Sequence, residues 1–350
     1  TTDLSQTAAS LAVTGNVTVT NDDGSADSTF IISDTTGTQT VGGNLILLNT
    51  DVTADHTITM DVRSSLTVTG TTTITAAAGS SAAPSLLVVD KAATFTGGVT
   101  LDDDTGLASI EFENDNDVDI TGTIDGAAAG EGGLLVTGAT KDFKSAIGST
   151  NSLRLLDIDS ATAVFDSTVS ATTIDIDATG TIFSGAVTAT TMDVAVSTIA
   201  NVNANLTVSG ELTVIGDLDF GGTSAITVDA NIQDGGTTGE IDVINSSTGG
   251  VTFVNAIGTQ DDGTADALDI FAISNSGSRA VLQSADNLAD EINIAAGGII
   301  EIDRTITNGG VVFADSAETI AADLPTTSKI YMPSNLKDGQ AIYLLSDVTT

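Results

Sequence analysis

The chain has no cysteine among its 350 residues. Disulfides, zinc–thiolate sites and thiol nucleophiles are therefore excluded. A single histidine, His56, makes Ser-His-Asp and Cys-His catalytic arrangements nearly impossible. Tryptophan is absent and only two tyrosines occur, too few for the large aromatic core of a globular sandwich or for a platform of sugar-stacking rings. Lysine and arginine together number 9 against 47 acids, and none falls between Arg154 and Arg279. A net charge of -38 repels nucleic acid and anionic membranes, since binding phosphates requires clustered cations. No uninterrupted apolar run approaches the length a helix needs to cross a bilayer, so no membrane-spanning helix is expected. The chain opens Thr1-Thr2-Asp3-Leu4 without a basic, apolar leader, the expectation for a mature secreted form or a fragment.

What is present is a narrow alphabet. Valine, isoleucine, leucine and alanine supply most of a 41% hydrophobic content, and threonine, glycine and aspartate fill the spaces between them. β-Branched residues suit pleated strands, while glycine and aspartate suit turns. Apolar and hydroxyl residues alternate at period two in 11–20, 57–62, 66–75, 93–101, 118–124, 181–188, 206–220, 226–232, 240–244 and 251–254. Glycine, asparagine or aspartate interrupts every few residues. Only 284–294 and 314–324 invite a turn or two of helix.

The strands repeat. Val169-Ser-Ala-Thr-Thr-Ile-Asp-Ile176 returns 18 positions later as Val187-Thr-Ala-Thr-Thr-Met-Asp-Val194. Phe165, in Phe165-Asp-Ser-Thr-Val169, precedes Phe183, in Phe183-Ser-Gly-Ala-Val187, by the same 18, and Phe95-Thr-Gly-Gly-Val99 is a further variant. So short an offset is too small for a helical hairpin and suits one turn of a coiled β-solenoid. The fold class expected is all-β: a parallel β-helix of short strands, about 18–22 residues per coil, carrying a distinct C-terminal hairpin module. Residues 1–320 form the rod in this reading. Residues 321–350 form a hairpin, cap or assembly module, with strands at 329–333 and 340–345 around Asn335-Leu-Lys-Asp-Gly339. A string of small sandwiches would instead repeat at about 90–100 residues, a period that is not found. Segments 77–85 and 125–133 read as loops.

Aspartate carries the chemistry that remains. Of the 47 acids, 39 are aspartate. They cluster as Asp22/Asp23/Asp27, Asp102/Asp103/Asp104, Asp115/Asp117/Asp119 and Asp261/Asp262/Asp266. The first and last clusters belong to a long-range duplication, Asn21–Asp27 against Gln260–Asp266. Oxygen ligands grouped in loops are what Ca²⁺ requires, and these twelve aspartates are the candidate metal ligands. No named calcium motif is met: Asp115-Asn-Asp-Val-Asp119 starts like an EF-hand, yet its sixth position is Ile120 and its twelfth Gly126. Solvated acidic turns are the competing reading. Pairs such as Asp157/Asp159 and Asp175/Asp177 share a strand face, but glycosidase chemistry also needs sugar platforms and differing environments. No enzymatic activity is expected. Acceptor triplets for N-glycosylation begin at Asn16, Asn205 and Asn245, as chance alone supplies in a chain rich in threonine and serine.

Phrases such as Leu206-Thr-Val-Ser-Gly-Glu-Leu-Thr-Val-Ile-Gly-Asp-Leu218 and Phe95-Thr-Gly-Gly-Val-Thr-Leu101 resemble the large secreted β-helical surface proteins of bacteria. These include filamentous-haemagglutinin-like adhesins, autotransporter passengers and β-helical surface-layer or filament proteins. The likeness is one of style over about residues 10–315. The tail resembles hairpin modules of virion tail fibres. The resemblance implies an extracellular structural coat or an adhesin, with calcium needed for assembly, and it transfers no site residue. The expectation is a secreted, calcium-stabilised protein that joins copies of itself through its chain ends into a surface layer or filament. An adhesin recognising a surface glycan is the alternative, and a polysaccharide-processing enzyme a distant third.

Overall fold

The computed structural model describes residues 10–21, 27–33, 35–50, 56–76, 84–103, 106–113, 118–159, 162–235, 238–258, 268–284, 289–295 and 298–302. It adds the backbone of strands Thr2–Asp3, Val312–Phe313, Lys329–Tyr331 and Tyr343–Leu344. The described residues contain strands and turns and no helix. Strands pair in parallel, each with the strand one coil earlier and one coil later, as a parallel β-helix requires. The chain forms two compact units, Thr1–Asp175 and Ile176–Thr350.

In the first unit a coil has three faces. Ile58–Val62, Ser65–Val68 and Thr72–Thr75 make one coil, and Ser85–Val89, Ala93–Phe95 and Val99–Asp102 lie on them in register as the next. Period-two alternation decides which side chains face inward. Ile58, Met60 and Val62 are buried while Thr59 and Asp61 point outward. The core is thus a set of columns, one aliphatic or phenyl side chain per coil. Phe143 and Phe165 stack at 4.9 Å with rings 6° apart, and Phe112 meets Phe143 edge-on at 5.6 Å. Such ring pairs add about 0.5–1.5 kcal/mol each beyond the area they bury.

The second unit repeats the plan with a tighter coil. Thr181–Phe183, Ile199–Val202, Asp217–Phe220 and Glu240–Val243 form one face. Val187–Val194, Leu206–Val214 and Ile226–Asp234 are long enough to run round a corner, with register shifts between Ala189 and Met192 and between Val208 and Glu211. The first repeated octet ends at the boundary of the units and the second lies wholly in the second unit; both have the same pattern. Positions one, three, six and eight are buried: Val169, Ala171, Ile174 and Ile176 in one, Val187, Ala189, Met192 and Val194 in the other. The Thr-Thr pair at their centre is the corner where inward and outward exchange.

Coil length follows from the register partners on this face. In the first unit Val13 pairs with Val41, Val41 with Val68, and Val68 with Phe95, offsets of 28, 27 and 27 along the chain. Ile120 to Phe143 and Phe143 to Phe165 shorten to 23 and 22. In the second unit the offset from Phe183 to Val202 is 19, from Val202 to Phe220 it is 18, and from Ile241 to Phe271 it is 30. The coil length expected from the repeated octets holds in the middle of the chain, and corner insertions lengthen the coils elsewhere.

Asparagine and glycine hold a corner together. Asn16 Oδ1 accepts the Asn44 N–H at 2.9 Å, and Asn44 Oδ1 accepts the Thr71 N–H at 3.0 Å. A Cβ on Gly70 would lie 2.6 Å from the Gly43 carbonyl oxygen and overlap Asn44 Oδ1, so only glycine fits against the preceding coil. The glycosylation triplets turn out to be such corners. Asn205 Oδ1 accepts the Thr227 N–H, and Asn245, fully buried, donates to the carbonyls of Gly221 and Ser224.

Two local expectations change. Ala289–Ile294, in the first candidate helix, is a strand beside Leu268–Ile273, because alternation there serves a coil face; 314–324 lies outside the described residues. In the tail, Lys329–Tyr331 pairs in parallel with Ile299–Ile302, and Tyr343–Leu344 in parallel with Val312–Phe313. Each strand follows the coil-to-coil pattern, where the sequence expects the two to form a hairpin with one another.

Candidate functional site

In-register stacking converts sequence into surface columns: whatever points outward in one coil meets its counterpart about 4.8 Å away in the next. Carboxylates that share a column repel unless a cation or a proton intervenes.

Of the twelve candidate calcium ligands, Asp27, Asp102, Asp103 and Asp119 are described. Asp22, Asp23, Asp104, Asp115, Asp117, Asp261, Asp262 and Asp266 lie outside the described residues. Asp27 accepts the Thr57 N–H at 2.8 Å, and that bond holds its carboxyl below the usual carboxylate range. Asp103 closes its own loop, Oδ1 accepting the Ala108 N–H at 2.6 Å, with Arg154 Nε 3.5 Å from Oδ2. Asp102 ends the strand Val99–Asp102, beside Thr75 of the preceding coil. Asp119 is in the strand Val118–Thr121, not in a ligating loop. The structure does not bring these four together, and among the described residues no group of three or more His, Cys, Asp or Glu side chains is placed to hold a metal ion.

Asp119 belongs to a column instead. It pairs in register with Asp142, and Lys144 stands beside them both. The Lys144 ammonium contacts Asp142, lies 3.1 Å from Asp166 Oδ2 and 3.7 Å from Asp119 Oδ1. Hydrogen bonds to Asp142 and Asp166 raise its affinity for the proton further. Three coils of carboxylate are thus bridged by one cation from the chain itself. A second lysine, Lys141, is fully buried in the core and donates to the Ala139 carbonyl at 2.7 Å, its head reaching the turn as long cationic side chains do.

The second unit carries an acidic column that clustering in the sequence does not reveal. Asp217 pairs in register with Glu240, and Asp219 with Asp242. Partial burial, then Asp242, then Asp217 push the Asp219 carboxyl up to about 6. Asp217 is raised by burial and by Asp242. Asp242 also accepts the Ser274 N–H at 3.1 Å. The readable signal was Asp217-x-Asp219 followed one coil later by Glu240-x-Asp242, two strands of one face without an intervening lysine or arginine. Burial likewise raises Asp90, aided by Asp61, Glu113, aided by Glu111, and Asp193, aided by Asp177.

The remaining candidates lie on coil strands or at their ends. His56 precedes the strand Ile58–Val62, and its carbonyl accepts the Asn49 side-chain amide at 2.9 Å. Asp157 and Asp175 point outward from strands, with Asp159 and Asp177 just beyond the strand ends. No protein-family model, curated protein or solved structure matches the chain.

Proposed function

We propose that this protein is an extracellular structural protein that self-assembles into a surface layer or filament and is stabilised by calcium. The observation that carries the reading is the contrast between its two acidic columns. The Asp119/Asp142 column, which Val164 ends in the following coil, is bridged by Lys144, as is Asp166 nearby, whereas Asp217, Asp219, Glu240 and Asp242 share a face in a stretch without lysine or arginine. A divalent cation from solution, bridging a register pair such as Asp219 and Asp242, would relieve the second column as the ammonium relieves the first. The side chains around it are packing residues, turn residues and other acids, a composition suited to a scaffold. Joining copies by adding strands coil on coil would use the backbone bonds that already join each coil to the next.

A second reading draws on the lengthened coils. The coil from Ile241 to Phe271 is far longer than the one from Val202 to Phe220, and such insertions are where an adhesin or tail-fibre-like protein would carry recognition of a glycan or host surface. Electron microscopy and sedimentation of the purified chain, with millimolar Ca²⁺ or with chelator, separate the two. Ordered filaments or sheets that require Ca²⁺ support the coat. Isolated rods under both conditions refute it and favour the adhesin. A variant ending at residue 323 that still forms unchanged polymers rules out the tail as the joint.

A further inference from the structure

The first unit's second face carries a surface of a different kind, and its chemistry is independent of the assembly reading. Thr40, Thr67, Thr94 and Thr121 are register partners in four successive coils, so their side chains form one outward column. Two positions further on, just past the strand ends, Thr69 and Thr96 begin a second column. Their N–H groups bond to the carbonyls of Val41 and Val68 at 2.9 Å, which keeps them in step with the first. Strand pairing sets the repeat between coils at about 4.8 Å and the repeat along a strand at about 6.7 Å. Threonine has a stiff χ1, so hydroxyl and methyl recur at fixed positions. The Thr121 hydroxyl donates to Thr94 Oγ1 at 3.0 Å, linking neighbours within the column.

In a chain of net charge -38, residues 38–50, 64–76, 84–89 and 92–101, which carry this face and parts of its neighbours, contain no charged residue. Charge begins at the borders, with Asp51, Asp61, Arg63, Asp90, Lys91 and Asp102, and at the far end of the panel with Asp119, two residues before Thr121, and Lys144 in the next coil. A neutral face offers nothing to an ionic ligand. Without aromatic rings it offers nothing for a sugar to stack on. What it presents is a two-dimensional lattice of groups that each donate and accept one another's kind of hydrogen bond, as water does, spaced by methyl groups. The solid that matches such a lattice is ice, whose surface planes repeat at spacings close to both of these. Ordering the groups before contact removes the entropic cost of arranging them at the surface.

We propose that this threonine panel is an ice-binding face. The test is partition of the full-length chain into a slowly growing ice front, with an acidic, non-binding protein of similar size as reference. The wild type should enter ice at least tenfold above the reference. T67K/T94K should fall to the reference level, while T188K/T207K, a register pair in the second unit, should behave as the wild type. Circular dichroism and the melting midpoint verify that each variant is folded; if T67K/T94K is not, Thr96→Lys, at an exposed position, replaces it. Exclusion of the wild type from ice overturns the proposal. So does undiminished partition of the panel variant, or equal loss in both double variants.

Discussion

Asp219→Asn should stabilise the protein at neutral pH and flatten its pH dependence. Asp219 lies beside Asp242 in register and shares its strand with Asp217, so its charged form is disfavoured by partial burial and by both neighbours. Its carboxyl, ordinarily at 3.8, rises to about 6 in the folded chain. The folded state therefore holds this proton more tightly than the unfolded state. The stabilisation is fully present below the unfolded value and is lost as pH rises through about 6. Converted at 1.36 kcal/mol per pH unit, the shift corresponds to roughly 3 kcal/mol. The group is only half-buried, and solvent screening reduces that to on the order of 1 kcal/mol. Asp217, Asp193, Asp90 and Glu113 are raised too and act in the same direction. Asp27 is lowered, so its contribution is lost only below its ordinary value of 3.8, outside this window. Scanning calorimetry at low salt should show the wild-type midpoint rising from pH 7.5 to pH 5. The D219N substitution should raise the pH 7.5 midpoint by about 2 °C, using the usual relation between stability and midpoint for large domains. A wild-type midpoint that falls over this range, or a variant with the wild-type slope and midpoint, would refute the column argument.

Two further outcomes test the coil geometry and the ion bridge. Gly70→Ala places a methyl 2.6 Å from the Gly43 carbonyl oxygen and should cost about 1–3 kcal/mol in urea melts, whereas Gly15→Ala, with nothing within 4 Å of its Cβ, should be neutral or slightly stabilising. Lys144→Met leaves Asp119, Asp142 and Asp166 unbridged and should lower the midpoint at low ionic strength. The difference should vanish in molar salt, where exposed charges are screened, and a salt-independent loss would show that Lys144 acts by packing.

The fold was legible because its rule is local. Alternation at period two sorted inward from outward residues in Ile58–Val62 and Leu206–Val214 before any coil was visible, and phenylalanine at the start of the Phe-x-Gly or Phe-x-Ser corners marked the core in Phe95, Phe165 and Phe183. The repeat was readable only where corners are tight. Where the coil offset is 18 the copies align by eye; where it is 27 the matching positions are separated by insertions of differing composition. Gly43, Gly70 and Gly97 nevertheless recur at an offset of 27, and close approach to the preceding coil explains each of them. The acidic column of the second unit was missed for a related reason. Proximity along the chain drew attention to runs such as Asp102-Asp103-Asp104, whereas a solenoid brings together residues one coil apart, as with Asp219 and Asp242.

That geometry also explains why two such different surfaces coexist. Stacking in register places like beside like, which is neutral for threonine, whose hydroxyl donates to the next one, as from Thr121 to Thr94. For aspartate it is costly, and the cost grows with each coil added to the column. The chain interrupts its acidic columns accordingly. Asp142 and Asp166 meet Lys144, and Asp219 has Asn201 in the preceding coil and Asp242 has Ala272 in the following one. The unbridged run is thereby held to two coils, Asp217–Asp219 and Glu240–Asp242, short enough for one proton or one cation to relieve. A column of three or more unbridged carboxylates would have to be neutralised from solution for the coils to stack at all. Substituting Asn201 by aspartate should therefore make folding dependent on acid or on divalent cations, and a melting midpoint for N201D that is the same at pH 5 and pH 7.5, with chelator or without, would show that the column tolerates a third charge.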